Sequence, residues 1–472
     1  MKTVAYRRLA FSIVLVSILG ACAGPVANRA FEEVASTSEQ RIGQRPAWIK
    51  SPEDEQAVRE TLNRLLSKPL SPDEAVQVAL LNNRRLQAGF SELGIGAADL
   101  TSSWRPENPG FSFGRFRRGQ DIEIERAVSI DPLRLLLLPI SAGIESRRFE
   151  ATKLRTASEV MSLAAQTKRA WYEAVAAEQT AKYVQQVRDS AEAQAELAKR
   201  MRQVGNYSVL DYARQQLFYA SATAQLAKSR VVATVARERL ARLMGVWGRD
   251  TSFRLPERLP DLPQSPKTMA NVEATAIADR LDVQLAKAEL ESTRKAYGLT
   301  NATRFVNVLE LGFQRNSASG EKDQTGYEIS FEVPIFDFGD AKATRAESIY
   351  MRSVNNLADV AVNARSAARE TYLLYHAAYD LARHYRDDVI PVRQKVAEES
   401  VLRYNGMLIS VFELLSDAQD QIADVTFALE AQRDFWIADT NLTFVTIAPV
   451  DGAIGSPGGG RVAITSGPSA GH

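Results

Sequence analysis

The sequence predicts a mainly α-helical protein with a small membrane β-barrel portion, built as two tandem copies of one unit. Three observations carry this. The chain repeats itself at an offset of about two hundred residues. The longest stretch of each copy is nearly free of helix breakers, and each copy holds two short segments in which apolar and polar residues alternate.

The repeat is seen in three places. Leu86-Gln87, in "NNRRLQAGFSELGIGAADL", is matched by Val283-Gln284, in "ADRLDVQLAKAELESTRKAYGL", 197 positions later. Pro139 is matched by Pro334, 195 later, and Gly205 by Gly406, 201 later. Three matches in one order at nearly one offset define two copies, 71–254 and 269–447. Between them, 255–268 ("LPERLPDLPQSPKT") carries four prolines and reads as a linker lying along a surface.

Residues 1–21 read as a signal peptide: Arg7 and Arg8, then "LAFSIVLVSILG", an apolar run of about twelve residues, too short to span a bilayer. The only cysteine is Cys22, after Leu19-Gly20-Ala21. This quartet resembles the lipobox of bacterial lipoproteins, with Gly20 a less usual residue at its place. The resemblance implies an acylated Cys22 and a lipid-anchored extension over 22–70. Ala23 follows where an aspartate is lacking, which in such lipoproteins points to the outer membrane. An ordinary signal peptide with an incidental cysteine is the alternative. A single thiol excludes an internal disulfide framework. No later segment reaches 18 apolar residues, so no membrane-spanning helix is expected.

Each copy then has the same order of elements. A helix of about thirty residues opens it, over 71–103 and 268–300. Two strands follow, at about 109–130 in copy one ("GFSFGRFRRG" and "DIEIERAVSI") and about 304–335 in copy two ("RFVNVLELGFQ" and "GYEISFEVPIF"). Tyr327, Ile329, Phe331 and Val333 alternate with Glu328, Ser330 and Glu332. The polar "NSASGEKDQT" reads as the hairpin loop between the second pair. In copy one the leucine-rich "SIDPLRLLLLPI" leaves the end of the second strand open. Long helices come next, over 142–204 and 341–405; ~60 residues would run roughly 90 Å. Pro391 should kink the second. After each glycine a helix returns, 209–244 and 411–445. The Gly- and Pro-rich 448–472 reads as a disordered tail.

Charge is balanced, with formal net charge +1, which gives no support for a nucleic-acid partner. No phosphate loop, nucleophile elbow or paired-cysteine motif is present, so neither an enzyme nor a cofactor is expected. The three histidines are His376, His384 and His472. The first two are eight apart on a helix, but a metal site would want more ligands nearby, and packing or solvated histidines are the expectation.

Four strands of about ten residues have the length to cross an outer membrane when tilted, yet are too few to close a barrel. In a membrane the barrel must therefore be assembled from several chains, because an open edge leaves backbone groups unsatisfied. A small soluble hairpin sheet is the alternative. The segments "SPDEAVQVALLNNRRLQA", "RLDVQLAKAELESTRKA" and "VPIFDFGDAKATRAES", with the two Arg-x-x-Gly turns, together resemble the TolC-like outer membrane efflux proteins, over about residues 70–447. The resemblance implies a homotrimer, each chain giving four strands to a twelve-stranded barrel continued by a periplasmic tunnel of long helices. It implies a passive efflux duct in outer membrane lipid, working with a periplasmic adaptor and an inner membrane transporter. A type I protein-secretion duct is the alternative on the same fold; a periplasmic coiled-coil adaptor disagrees with two tandem hairpins.

The candidate site residues lie at the two helical turns: Gly205, Asn206 and Ser208 in copy one, Gly406, Met407 and Ser410 in copy two. The glycines are expected to take the positive φ of a sharp reversal, and the serines to cap the returning helices. Copy two has one more residue between Gly and Ser, so the turns read as unequal. Plain turn chemistry accounts for these residues locally; the resemblance adds a tip that docks the adaptor. It also places Glu413, with Asp417 one turn on, at the tunnel entrance. There three copies of Glu413 would form a carboxylate ring, whereas Asp211 in copy one need not face the lumen. A solvated surface acid in a helical salt bridge is the alternative for Glu413.

Overall fold

The computed structural model describes residues 23–303, 309–331, 336 and 338–449. The expected signal peptide, Cys22, Pro334 and the tail beyond 449 lie outside the described residues.

In chain order, four helices come first: α1 (Ala23–Ile42), α2 (Pro52–Leu66), α3 (Pro72–Asn82) and α4 (Arg84–Ser103). Strands β1 (Gly110–Arg118) and β2 (Asp121–Ile130) follow, then α5 (Pro132–Gln203) and α6 (Val209–Met244). Copy two repeats the series with α7 (Val272–Asp279), α8 (Leu281–Thr303), β3 (Leu309–Ala318), β4 (Gln324–Phe331), α9 (Asp340–His384), α10 (Ile390–Asn405) and α11 (Val411–Val445). Among the described residues no helix is long and apolar enough to cross a membrane.

Several local features differ from the sequence expectation. The opening helix of copy one is broken at Asn83. Its extended backbone lets the side chain accept the Leu86 N–H at 3.2 Å and restart the helix as an N-cap. Copy two breaks at the matching Arg280, whose buried guanidinium is held by Asp282 at 2.8 Å. The leucine-rich run of copy one, left open by the sequence, is helix, so the long helix starts at Pro132 rather than near 142. Strand β2 ends at Ile130, Asp131 accepts the Arg134 N–H at 3.0 Å, and Pro132 opens α5, where a missing N–H costs nothing. Strand β3 extends to Ala318, so the hairpin loop is shorter than "NSASGEKDQT". Finally, Pro391 is preceded by one π-helical turn, Tyr385–Val389, in which the Ile390 N–H reaches back to the Tyr385 carbonyl. The widened turn makes room for the proline ring beside the carbonyl four residues back.

The described residues group into two compact units that cut across the repeat. The first takes Met1–Glu60, Leu80–Met161 and Ala274–Arg365. In it α1 lies on α4 through Phe31 and Phe90, whose rings meet edge to face at 5.0 Å, with Trp48 beside both. Gln87 ties the intervening segment down: it accepts the Ile49 N–H at 2.9 Å and donates to the Ala47 carbonyl at 2.7 Å.

The second unit takes Thr61–Ala79, Ser162–Glu273 and Ser366–His472. Its largest buried side chains are aromatic: Trp171, Phe253, Tyr375, Tyr379 and Phe435. The proline-rich linker is stapled to this core rather than merely lying on it. Trp436 and Gln432 both donate to the Pro260 carbonyl, at 2.9 and 2.7 Å, and the Tyr379 hydroxyl donates to the Gln264 carbonyl at 2.8 Å. Leu259 and Leu262 are buried between these anchors. Prolines leave fewer backbone N–H groups to satisfy, and helix side chains take up the carbonyls that remain.

Candidate functional site

Two features can carry function, one in each unit. The first is the sheet, four antiparallel strands in the order β1-β2-β3-β4. Strand residues alternate between faces, so register assigns each side chain to a side. Phe111, Val128, Phe313 and Tyr327 form one cross-strand row, Ile130, Leu311 and Ile329 the next, and Leu309 with Phe331 a third. This face is apolar and uncovered: Phe111 is 70% exposed and Tyr327 84%. The opposite face carries Ser112, Glu123, Glu125, Ser129, Glu310, Gln314, Asn316 and Glu328. Phe116 is an apolar residue on that polar side. Its ring lies over Gly114, where an added Cβ would come within 2.8 Å of it. Among the described residues β1 and β4 pair on one side only, leaving a row of unpaired backbone groups at each edge.

A soluble antiparallel sheet would bury its apolar face against the rest of the fold. Here the apolar face is the bare one, and the strands are nine, ten, ten and eight residues long. That is close to what a tilted strand needs to cross the hydrocarbon layer, about 9–11 residues.

The second feature is the pair of helical turns. Ser208 and Ser410 cap the returning helices as expected. At Ser410 a full capping box forms: the Glu413 N–H donates to the Ser410 hydroxyl at 3.3 Å, and the Ser410 N–H donates to the Glu413 carboxylate at 2.9 Å. Asp211, one methylene shorter, instead accepts the Ser208 hydroxyl at 2.6 Å.

The expectation for the two glycines holds at one of them. Gly205 takes φ +80°, and the Asn206 N–H closes on the Met201 carbonyl at 2.9 Å, the wider loop of a Schellman motif. In copy two Gly406 is still helical, with φ −76°, and the left-handed residue is Met407, at φ +62°. The Leu408 N–H closes on Arg403 at 2.8 Å, the same motif one residue further on. The turns are therefore equal in length, not unequal: Gly205 corresponds to Met407, and each lies three residues before its serine. Matching glycine to glycine misaligned them by one.

The turns are held together by side chains from both copies. Tyr207 and Tyr404 share a hydroxyl–hydroxyl hydrogen bond of 3.0 Å. Arg214 lies over the Phe412 ring, 5.0 Å from its centre, and Ala191, Phe218, Ala222 and Leu415 form a small buried cluster behind them. Burial, and after it the bond to Tyr404, raises the Tyr207 phenol above its ordinary value. Asp417 is half-buried and accepts the hydroxyl of the buried Ser400, which binds it to its own hairpin. Glu413 is exposed, as are Val204, Val209, Leu210, Leu408 and Met407, the last 92% exposed. Of the histidines, His376 sits edge-on to Tyr372 with its Nε2 buried and unpartnered, and His384 Nδ1 is 2.8 Å from Asp388. His472 lies outside the described residues. Among the described residues no group of acids and histidines could hold a metal ion.

No protein-family model and no curated protein matches the chain. Solved structures do. CusC, from a study of its folding and transmembrane channel formation, is 17% identical with a TM-score of 0.67 over 83% of this chain and 92% of that one. A membrane protein from Pseudomonas aeruginosa is 16% identical, TM-score 0.69, over 82% and 92%. The CmeC outer membrane channel of Campylobacter jejuni is 16% identical, TM-score 0.67, over 83% and 87%. The chain has their fold, the TolC-like one of long helices with a small antiparallel sheet.

Proposed function

We propose that this chain is the outer membrane channel of a tripartite efflux system. The carrying observation is the sheet: one apolar uncovered face, one polar face and two unpaired edges. A membrane barrel alternates apolar outside with polar inside and has no edges. Four strands per chain reach twelve in a homotrimer, with β4 of one copy completing β1 of the next. The acidic polar face then lines the lumen, and the duct is passive. The fold shared with an outer membrane channel supports this reading.

The long helices are assigned to the periplasm, and the turns to the tip that meets a periplasmic adaptor and, through it, an inner membrane transporter. Exposed Val204, Leu210, Met407 and Leu408 supply the apolar docking surface there. Glu413 is the candidate entrance carboxylate. Asp417 joins it only when Ser400 releases it. The 22–70 extension is held to outer membrane lipid through an acylated Cys22.

The test is direct. Purified full-length protein should migrate as a trimer and conduct ions across a planar bilayer; a monomer without conductance would sink the proposal. Cys22→Ser should abolish incorporation of labelled fatty acid, and label that persists would reject the anchor.

A further inference from the structure

The apolar face of the sheet does not stay apolar to its end. Moving from the helix side toward the hairpin turns, the row Phe111–Val128–Phe313–Tyr327 is followed by Phe113–Arg126–Arg315–Thr325. Beyond it lie Arg115 and then Arg117 on the same face of β1. Arg126 and Arg315 are register partners, so their side chains leave adjacent strands side by side, with Cβ atoms about 5 Å apart. Arg115 is the diagonal neighbour of Arg126. Like charges placed directly opposite destabilise a strand pair. Among the described residues one carboxylate answers this group: Asp323, which accepts from Arg315. Arg126 donates to the Ser317 hydroxyl at 3.4 Å, and Arg117 to the Gly119 carbonyl at 2.9 Å. The strand carboxylates Glu123, Glu125, Glu310 and Glu328 are on the other face.

From this we infer that Arg126, Arg315 and Arg115 form a binding site for the anionic phosphate of a lipid headgroup. The inference rests on the reading of the sheet as membrane-embedded. Guanidinium forks hold phosphate oxygens bidentately, and an anion between Arg126 and Arg315 relieves their repulsion. The lipid is favoured over free phosphate by position. The arginines border the row of Phe111, Val128, Phe313 and Tyr327 on the same face, so a phosphate seated on them brings its acyl chains onto those side chains. Arginine stems lie along apolar surface while the heads stay at the polar boundary.

The experiment uses the full chain in detergent micelles, reading the melting temperature. Three additives are compared at equal concentration: palmitoyl-oleoyl phosphatidic acid, the corresponding zwitterionic phosphatidylcholine, and inorganic phosphate. Phosphatidic acid is expected to raise the melting temperature and the other two to leave it unchanged. In the Arg126→Gln/Arg315→Gln variant the half-saturating phosphatidic acid concentration should rise by about 10- to 30-fold. Without lipid that variant should melt no lower than wild type, since a like-charge pair has been removed. Arg126→Gln alone, expected to lose about tenfold, decides the matter where the double variant does not fold. An equal response to phosphatidylcholine or to inorganic phosphate, or a variant that keeps the full response, overturns the inference. Conductance measured in phosphatidylcholine bilayers separates the two readings. A conducting wild type with no phosphatidic acid response rejects only the headgroup site, whereas a chain that never conducts rejects the channel.

Discussion

Tyr207 follows the turn of copy one and Tyr404 precedes the turn of copy two, and their hydroxyls meet at 3.0 Å. This one bond couples two hairpins whose turns are 202 residues apart. Removing either hydroxyl should cost about 1 kcal/mol, and the double change little more than one of them. Hydrogen exchange at the turn amides of Tyr207→Phe, Tyr404→Phe and the double variant measures this coupling. Additive effects would show that the two turns open independently.

The same bond has a pH signature. The Tyr207 phenol is raised above its ordinary value of 10.0, first by burial and then by Tyr404. A folded-state value raised above the unfolded one stabilises fully below pH ~10 and loses that contribution as pH climbs past it. The ultraviolet absorbance titration of wild type minus Tyr207→Phe should therefore show a phenol ionising later than free tyrosine. A difference curve at the ordinary position would mean the pair is open in solution.

Substitutions at the turns should separate two glycines that look alike in sequence. Gly205→Ala forces a Cβ into the left-handed region and should destabilise the turn by about 1–2 kcal/mol. Gly406 is helical, and an added Cβ there meets nothing closer than 3.5 Å, so Gly406→Ala should be neutral or mildly stabilising. Met407→Gly should stabilise by up to about 1 kcal/mol. Exchange rates across 200–210 and 402–412 rank the three variants; a Gly406→Ala as damaging as Gly205→Ala would contradict the Met407 assignment.

Glu413 has two jobs to disentangle, cap and charge. Glu413→Gln keeps a side chain able to accept from the Ser410 N–H, whereas Glu413→Ala loses the box and about 1 kcal/mol of helix start. If the carboxylate lines the entrance, both variants should weaken cation preference or raise conductance, and by similar amounts. Single-channel recordings in a salt gradient give the answer. An effect seen with Ala and absent with Gln would assign Glu413 to capping alone.

The two faces of the sheet should tolerate charge differently. Leu311→Arg, on the apolar face two rows in from Arg126 and Arg315, should impede membrane assembly by about 2–4 kcal/mol. Glu125→Arg, on the polar face, should assemble normally and shift ion selectivity toward anions. Heat resistance of the oligomer on gels and bilayer recordings report the two effects.

Strand alternation and the internal repeat were legible because they follow from spacing alone: β1 and β2 lie where "GFSFGRFRRG" and "DIEIERAVSI" alternate. The breaks at Asn83 and Arg280 were missed because each is a single capping or paired residue inside an otherwise helical pattern. The helical start at Pro132 was obscured by leucines, which fit helix and strand equally, although Asp131-Pro132 is itself a helix-start signal. At the turns, serine capping was readable, and so was the box signature Ser410-x-x-Glu413. The left-handed Met407 was not, because it contradicts the residue preference on which such a reading depends. The Tyr207–Tyr404 bond and the Arg126–Arg315 juxtaposition needed register and packing, which no single stretch of sequence contains.

The π-helical turn at Tyr385–Val389 has a rotational consequence. The extra residue of a π turn is taken up locally, so every later residue lies about 100° behind where an unbroken α-helix would place it. The orientation of Tyr404 and of the Met407 turn is thus set partly at residues 385–389. Deleting one residue there should close the turn into ordinary α-helix and keep Tyr404 facing Tyr207, whereas deleting one from the α-helical stretch beside it would swing the turn by about 100° and take the Tyr404 hydroxyl away.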